Sequence, residues 1–224
     1  MKLFKLLLKY FNYKFGISPK DEYVSFDSQS VYYGHIKIKY KGIQAIRCPF
    51  DYVMYQMIIS EVKPDLIIEI GTNQGGSAVY FSDLMDALKI DGEIHSIDIN
   101  NDAKENVQGY SKIHLFTDGW ENYDLELTKK FKTILVIEDA AHTYECTLGA
   151  INKFASVVTP GSYLIVEDGI VSDINMSKDL NGGPLRSLRE FLPQHPEFEV
   201  DRRWCDMFGK NATFNVNGYL KKLN

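Results

Sequence analysis

The feature that most constrains this chain is a series of short, nearly unbroken apolar runs, each followed by polar or glycine-containing segments and most separated by helix-like stretches. The runs are Leu66-Ile-Ile-Glu-Ile70, Glu93-Ile-His-Ser-Ile-Asp-Ile99, Ile113-His-Leu-Phe116, Thr133-Ile-Leu-Val-Ile137 and Tyr163-Leu-Ile-Val166. They are too short for helices and too continuously apolar for strands with one wet face, so they read as strands of a sheet covered on both sides. Between them, residues 51–62, 76–88 and 143–158 carry apolar side chains at helical spacing, with Asp51 as the expected N-cap of the first helix and Pro64 as its stop. Strands alternating with helices imply βαβ units and a mostly parallel sheet. Two further runs, Phe198-Glu-Val-Asp-Arg-Arg-Trp204 and Ala212-Thr-Phe-Asn-Val-Asn-Gly-Tyr-Leu220, have no helical pattern between them and read as an antiparallel pair. The expected fold is α/β: a seven-stranded, mostly parallel sheet with an antiparallel last strand and helices on both faces.

A chain of 224 residues is long enough for one α/β domain with an adequate core. Residues 42–224 are expected to form it, with 1–41 as an N-terminal extension. Within 1–11, Lys2, Lys5 and Lys9 fall on one side of a helix and Leu3, Phe4, Leu7, Leu8 and Phe11 on the other. Such a helix suits docking on protein, or peripheral contact of residues 1–15 with an anionic membrane surface. Ile36-Lys-Ile-Lys-Tyr40 alternates like a half-exposed strand. A net charge of −5 argues against a dedicated nucleic-acid binder. Cys48, Cys146 and Cys205 are odd in number and form no CxxC, which supports neither a disulfide framework nor a thiolate metal site. No apolar run reaches the ~20 residues of a membrane span, and a cytoplasmic protein is the expectation.

The chemistry-bearing residues sit at the carboxyl ends of the strands, where doubly wound sheets bind ligands. The first strand runs into Glu69-Ile-Gly-Thr-Asn-Gln-Gly-Gly-Ser77. Gly71, Gly75 and Gly76, with Thr72 and Ser77, would let the backbone approach a ligand at a helix start. Asn73 stands where the dinucleotide fingerprint requires glycine, which disfavours a nicotinamide oxidoreductase. An acid, a glycine and a second glycine a few residues on is the pattern of S-adenosylmethionine sites, with Glu69 recognising the amino group. Asp98 ends the second strand as a candidate ribose acceptor, and Asp118 and Trp120 follow the third as candidate adenine contacts. Asp139 and His142 follow the fourth strand, and Glu167 and Asp168 the fifth. Three converging carboxylates repel one another unless a cation or proton intervenes, and oxygen ligands select a hard cation such as Mg²⁺ or Ca²⁺. His142 beside them is a candidate general base. Residues 169–183 read as a lid, and Pro184 as the start of a further helix.

Taken together, Asp65-Leu-Ile-Ile-Glu-Ile-Gly-Thr-Asn-Gln-Gly-Gly-Ser-Ala78, Asp139-Ala-Ala-His-Thr143, Gly161-Ser-Tyr-Leu-Ile-Val-Glu-Asp168, Gly183-Pro184 and Phe191-Leu192 resemble the cephalosporin hydroxylase family of class I S-adenosylmethionine-dependent methyltransferases. That family includes rhamnosyl O-methyltransferases. The resemblance runs from about Gly42 to Lys221 and implies a Rossmann-like methyltransferase fold, Mg²⁺ at Asp139, Glu167 and Asp168, a histidine base at His142, and a homo-oligomer. It implies S-adenosylmethionine as cofactor and a hydroxyl of a sugar or glycosylated natural product, a small molecule or a glycan, as acceptor. Ala140 and Ala141 depart from the polar pair usual in the family. Two other readings remain open: a scaffold that keeps the fold without the reaction, and a hydroxylase-type partner protein.

Overall fold

In the computed structural model, which describes Leu7 and residues 27–223, helix α1 (Ser28–His35) leads into an antiparallel pair of two-residue strands, β1 (Lys39–Tyr40) and β2 (Ile43–Gln44). Then follow α2 (Pro49–Val62), β3 (Leu66–Ile70), α3 (Gly76–Ala87), β4 (Glu93–Ile97) and β5 (Ile113–Phe116). The remainder comprises β6 (Ile134–Glu138), α4 (Tyr144–Phe154), β7 (Tyr163–Val166), α5 (Gly183–Phe191), β8 (Phe198–Val200), α6 (Arg202–Cys205) and β9 (Tyr219–Lys222). The large sheet has seven strands in the order β5-β4-β3-β6-β7-β9-β8. The pairs among β3 to β7 are parallel, and β9 runs antiparallel to both β7 and β8. This is the expected mixed sheet with its last strand reversed.

Strand alternation divides the core into two layers. Ile67, Leu135, Ile137 and Ile165 face Met54, Tyr55 and Ile58 of α2 and Phe81 and Met85 of α3. Ile68, Val136 and Leu164 face Ile151 and Phe154 of α4 and Leu188 and Phe191 of α5. These side chains are essentially solvent-free, each contributing roughly 1.5–3 kcal/mol. Helices on both faces are why the strands read as continuous apolar runs rather than alternating ones.

Several boundaries differ from expectation. Cys48, not Asp51, occupies the N-cap of α2, and Pro49 begins the helix. Asp51 points inward and is fully buried, accepting from Thr213 Oγ1 at 2.5 Å, the Phe214 amide at 3.1 Å and the Tyr219 hydroxyl at 3.2 Å. The carboxylate thus ties α2 to the approach to β9. The expected strand 198–204 stops at Val200, because Asp201 caps the short helix α6 by accepting from the Arg203 amide. The expected strand 212–220 survives only as β9, since residues 213–217 turn to supply the Asp51 contacts. The expected strand at 36–40 is reduced to β1, with Ile36 ending α1. The predicted amphipathic helix over 1–11 lies outside the described residues apart from Leu7. Among the described residues, no helix is long and apolar enough to cross a membrane.

Burial pushes the Asp51 carboxyl up to about 7, from an ordinary 3.8. A carboxyl harder to ionise in the folded state than in the unfolded one adds stability below its unfolded pKa, and that stability is lost as pH rises toward the folded value. Asp51→Asn is therefore expected to melt below wild type at pH 4, with a deficit that shrinks by pH 8. Thermal unfolding across that range tests this, and a deficit independent of pH contradicts it.

Candidate active site

The carboxyl ends of β3, β4 and β6, with the segment before α2, enclose a cavity of about 570 Å³. Its wall includes Gly71, Thr72, Ser77, Asp98, Trp120, Asp139, His142 and Asp168. Gly71 is the tightest backbone position. Its φ is +106°, and a Cβ there would stand 2.0 Å from the carbonyl oxygen of Asp139. The turn after β3 therefore touches the turn after β6, and only glycine allows it. The amides on either side seal the junction: Gly71 donates to the Ile97 carbonyl at 2.8 Å and Asp139 to the Ile70 carbonyl at 2.8 Å.

The structure distributes the other glycine-loop residues differently from one another. Thr72 and Ser77 reach the cavity wall, whereas Gly75 and Gly76 are not part of it. At Gly76 a Cβ would lie 2.2 Å from the Gln44 carbonyl oxygen, so this glycine admits β2 over the start of α3. Glu69 is fully buried behind the wall rather than on it. Ser77 Oγ bonds its Oε1, and Ser96 Oγ lies 2.7 Å from its Oε2 and 2.8 Å from Thr72 Oγ1. Burial raises the Glu69 carboxyl above its ordinary range, against the attraction of Arg47.

Asp98 lies on the wall at the end of β4. It already accepts three backbone amides, from Asn73 at 2.9 Å, Ile99 at 2.7 Å and Asn100 at 3.2 Å. A carboxylate has about four acceptor positions, so one remains, on Oδ2. Trp120 lines the cavity and its ring abuts α4, where a Cβ on Gly149 would come within 2.7 Å of it. Asp118 does not reach the cavity. Its turn is closed instead by Asn122 Nδ2, which donates to the Asp118 carbonyl at 2.6 Å. Ile99 was not singled out by the sequence, yet it lies on the wall with 75% of its surface exposed. Its position directly after the strand-end acid Asp98 is the signal that the sequence offers. Residues 169–183 form hydrogen-bonded turns that do not line the cavity, with Gly182 donating to the Ser177 carbonyl at 2.7 Å.

The acidic end of the cavity departs from expectation at one residue. Asp139, His142 and Asp168 bring ligand atoms within 4.8 Å of one another. His142 Nε2 lies 3.2 Å from Asp168 Oδ2 and 3.9 Å from Asp139 Oδ1. His142 and Asp168 both adopt positive φ, 56° and 55°, a conformation that costs energy outside glycine and recurs at functional sites. Glu167, expected as a third cation ligand, is not in that group. It is 3% exposed and engaged elsewhere: Arg47 Nη2 lies 2.6 Å from its Oε1, Arg47 Nε 3.1 Å from its Oε2, and the Tyr55 hydroxyl donates to Oε1 at 2.6 Å. Arg47 holds Glu167 aside, and the positive φ of Asp168 turns its carboxylate toward His142. Glu69, Asp139 and Glu167 continue the faces of Ile67, Ile137 and Ile165 toward α2, where Arg47 waits, and Asp168 follows on the other side.

Arg47 is the functional residue that the sequence reading missed. Its guanidinium, 2% exposed, also lies 3.0 Å from Asp139 Oδ2 and 3.9 Å from Glu69 Oε1, over the rings of Tyr55 and Phe81. Burial opposes its charge, but Glu167 above all holds it protonated. Burial, then the Glu167 charge, pushes the Asp139 carboxyl well above the carboxylate range, against Arg47. With Glu167 withdrawn, Asp139 and Asp168 still offer two carboxylates on the cavity wall, a donor set that fits a hard divalent cation completed by water or substrate oxygens.

The family model described as Rhamnosyl O-methyltransferase/CmcI matches residues 32–223. The chain belongs to this family. It is an S-adenosylmethionine-dependent O-methyltransferase by that membership. A rhamnosyl O-methyltransferase of Mycobacterium tuberculosis is 26% identical over 201 residues, covering 84% of this chain and 81% of that protein. The solved structure of CmcI with SAH is 18% identical and covers 94% of this chain and 91% of its own, with a TM-score of 0.65. CmcI with Mg and SAM is 20% identical and covers 92% and 85%, with a TM-score of 0.62. These likenesses establish the class I methyltransferase fold.

Replacing Gly71 by alanine is expected to cost at least about 2 kcal/mol, read as a urea midpoint shift. Gly161→Ala serves as control, because Gly161 also has positive φ (+81°) but a Cβ there would meet nothing within 4 Å. Equal shifts for the two variants would contradict the close approach.

Proposed function

We infer that this chain transfers the methyl group of S-adenosylmethionine to a hydroxyl of a sugar or glycosylated compound, with Mg²⁺ held at Asp139 and Asp168. The observation that carries the reading is the placement of Asp139, His142 and Asp168 on the wall of the cavity that also contains Gly71, Thr72 and Asp98. The rhamnosyl name of its relatives supports a sugar acceptor. The CmcI structure with Mg and SAM supports the pairing of cation and cofactor.

Each part of the site then has a task. Gly71, Thr72 and Ser77 present the loop after β3 to the methionine end of the cofactor, at the start of α3. The free acceptor position of Asp98 takes a ribose hydroxyl, and Trp120 and Ile99 bracket the base. A bound cation would lower the pKa of an acceptor hydroxyl resting on it. His142 Nε2 faces the two aspartates and takes the hydroxyl proton as the oxygen takes up the methyl group. The Asp168 carboxylate, 3.2 Å from that nitrogen, stabilises the imidazolium that results. Methyl transfer is an in-line displacement, so most of the catalysis asked of the chain is positioning. Glu69, behind the wall, supports Ser77 and Ser96 rather than touching the cofactor.

His142→Ala is expected to lower methyl transfer to a rhamnoside acceptor by at least about 100-fold. Its affinity for S-adenosylhomocysteine should stay within about threefold of wild type. Turnover by mass spectrometry and binding by calorimetry separate the two. Equal loss of both removes His142 from the role of base.

A further inference from the structure

A buried acid with an unpaired oxygen lies behind the cavity wall. Glu138 ends β6 and is fully buried, and it does not line the cavity. Ladder pairing to Ile70 on β3 and Val166 on β7 fixes its backbone. By strand alternation its side chain continues the face of Ile134 and Val136, the apolar layer against α4 and α5. A carboxyl there is costly unless it is hydrogen-bonded. One oxygen is met, since the Ala140 amide donates to Oε1 at 3.3 Å. Oε2 is buried with no hydrogen-bond partner among the described residues. Two atoms in the turn and helix that follow share that condition, His142 Nδ1 and Thr147 Oγ1. Burial pushes the Glu138 carboxyl up, and His142 is the strongest influence opposing that rise. We propose that Glu138 is a positioning residue for His142: its Oε2 accepts the Nδ1–H and fixes the ring in the tautomer whose Nε2 is free to take a proton. This rests on the reading of His142 as the base.

The two nitrogens of the imidazole face different acids. Nε2 lies 3.2 Å from Asp168 Oδ2 and 3.9 Å from Asp139 Oδ1. A neutral imidazole carries one proton, and the nitrogen without it is the base. The two aspartates alone would draw that proton onto Nε2 and leave the ring unable to accept another there. An acceptor at Nδ1 reverses the preference, and Glu138 has the free oxygen to supply it. A carboxylate oxygen has two acceptor positions, so Oε2 can take the Thr147 hydroxyl as well. Hydrogen bonds of this kind are often long before substrate binds and tighten in the complex. In the transfer step the acceptor O–H bond breaks and its proton goes to Nε2. The electron pair left on oxygen forms the bond to the methyl carbon, and the carbon–sulfur pair returns to the sulfonium, which leaves as a neutral thioether. Nδ1 keeps its own proton throughout, and Glu138 gains none.

Glu138→Gln separates this role from a structural one. Its amide oxygen has to take the place that faces the Ala140 N–H, which turns the side-chain NH₂ toward Nδ1. The NH₂ then donates to Nδ1 and drives the ring proton onto Nε2. The test is nitrogen-15 NMR of the full chain with labelled histidine, in the presence of S-adenosylhomocysteine and Mg²⁺. The His142 ring signals are those missing from His142→Gln. Wild type should show Nδ1 protonated, and Glu138→Gln should show the proton on Nε2 and Nδ1 bare. The same variant should lower kcat for methyl transfer to a rhamnoside by at least about 100-fold. Its KM for the rhamnoside and its affinity for S-adenosylhomocysteine should stay within about threefold of wild type. Should Glu138→Gln fail to fold, Glu138→Leu carries the test, and Nδ1 should lose its proton there too, because the acids beside Nε2 are then unopposed. A bare Nδ1 in wild type, or an Nδ1 equally protonated in the variant, overturns the proposal. A moved proton with kcat unchanged upholds the contact and overturns instead the reading of His142 as the base.

Discussion

A single buried guanidinium holds the catalytic end of this fold together. Arg47 stands just before α2 and reaches acids at the ends of three parallel strands: Glu69 on β3, Asp139 after β6 and Glu167 after β7. Three desolvated carboxylates at such distances repel one another, and the guanidinium among them offsets that repulsion. Its own charge, in turn, is sustained only because they surround it. Removing one member of such a group strands the charge of the others, at a cost of several kcal/mol. The geometry of the site therefore depends on Arg47 as much as on the residues that line the cavity.

Much of this organisation is legible in the chain. The apolar runs state that the sheet is covered on both faces, and the structure packs α2 and α3 on one side and α4 and α5 on the other. Gly71, Asp98, Asp139, His142 and Asp168 are all found where strand-end reasoning places them, on one cavity. What stays hidden is long-range. Nothing local marks Arg47 as the partner of Glu167, 120 positions away. Asp51 has the local look of a helix cap, and only its meeting with Thr213, Phe214 and Tyr219 turns it inward. That meeting also shortens β9, because Thr213 and the Phe214 amide are spent on Asp51 rather than on the sheet. Gly75 and Gly76 read as ligand-facing and prove to be packing glycines, Gly75 against Ala103 and Val107 and Gly76 against the backbone of Gln44.

The family and the geometry converge on one arrangement from independent directions. Membership supplies the reaction class. Under the proposed function, the cavity supplies a cofactor half, built on Gly71, Thr72 and Asp98, and an acidic half, built on Asp139, His142 and Asp168. The Gly71–Asp139 backbone contact joins the two halves with no room for a side chain between them, so the reactants are brought together by the sheet rather than by a loop. Ala140 and Ala141, between Asp139 and His142, have no polar side chain to add to the cluster. The chain instead places its polar support on the α2 side, through Arg47 and Tyr55.

The most direct measurement of the central claim is calorimetric titration of the full chain with S-adenosylhomocysteine, once with Mg²⁺ and once with EDTA. The account predicts one site per chain with affinity in the micromolar range in both conditions, because the cofactor half of the cavity is built from backbone and Asp98 and not from the cation. Absence of binding in both would contradict the assignment of this cavity to the cofactor and, with it, the methyl-transfer reading.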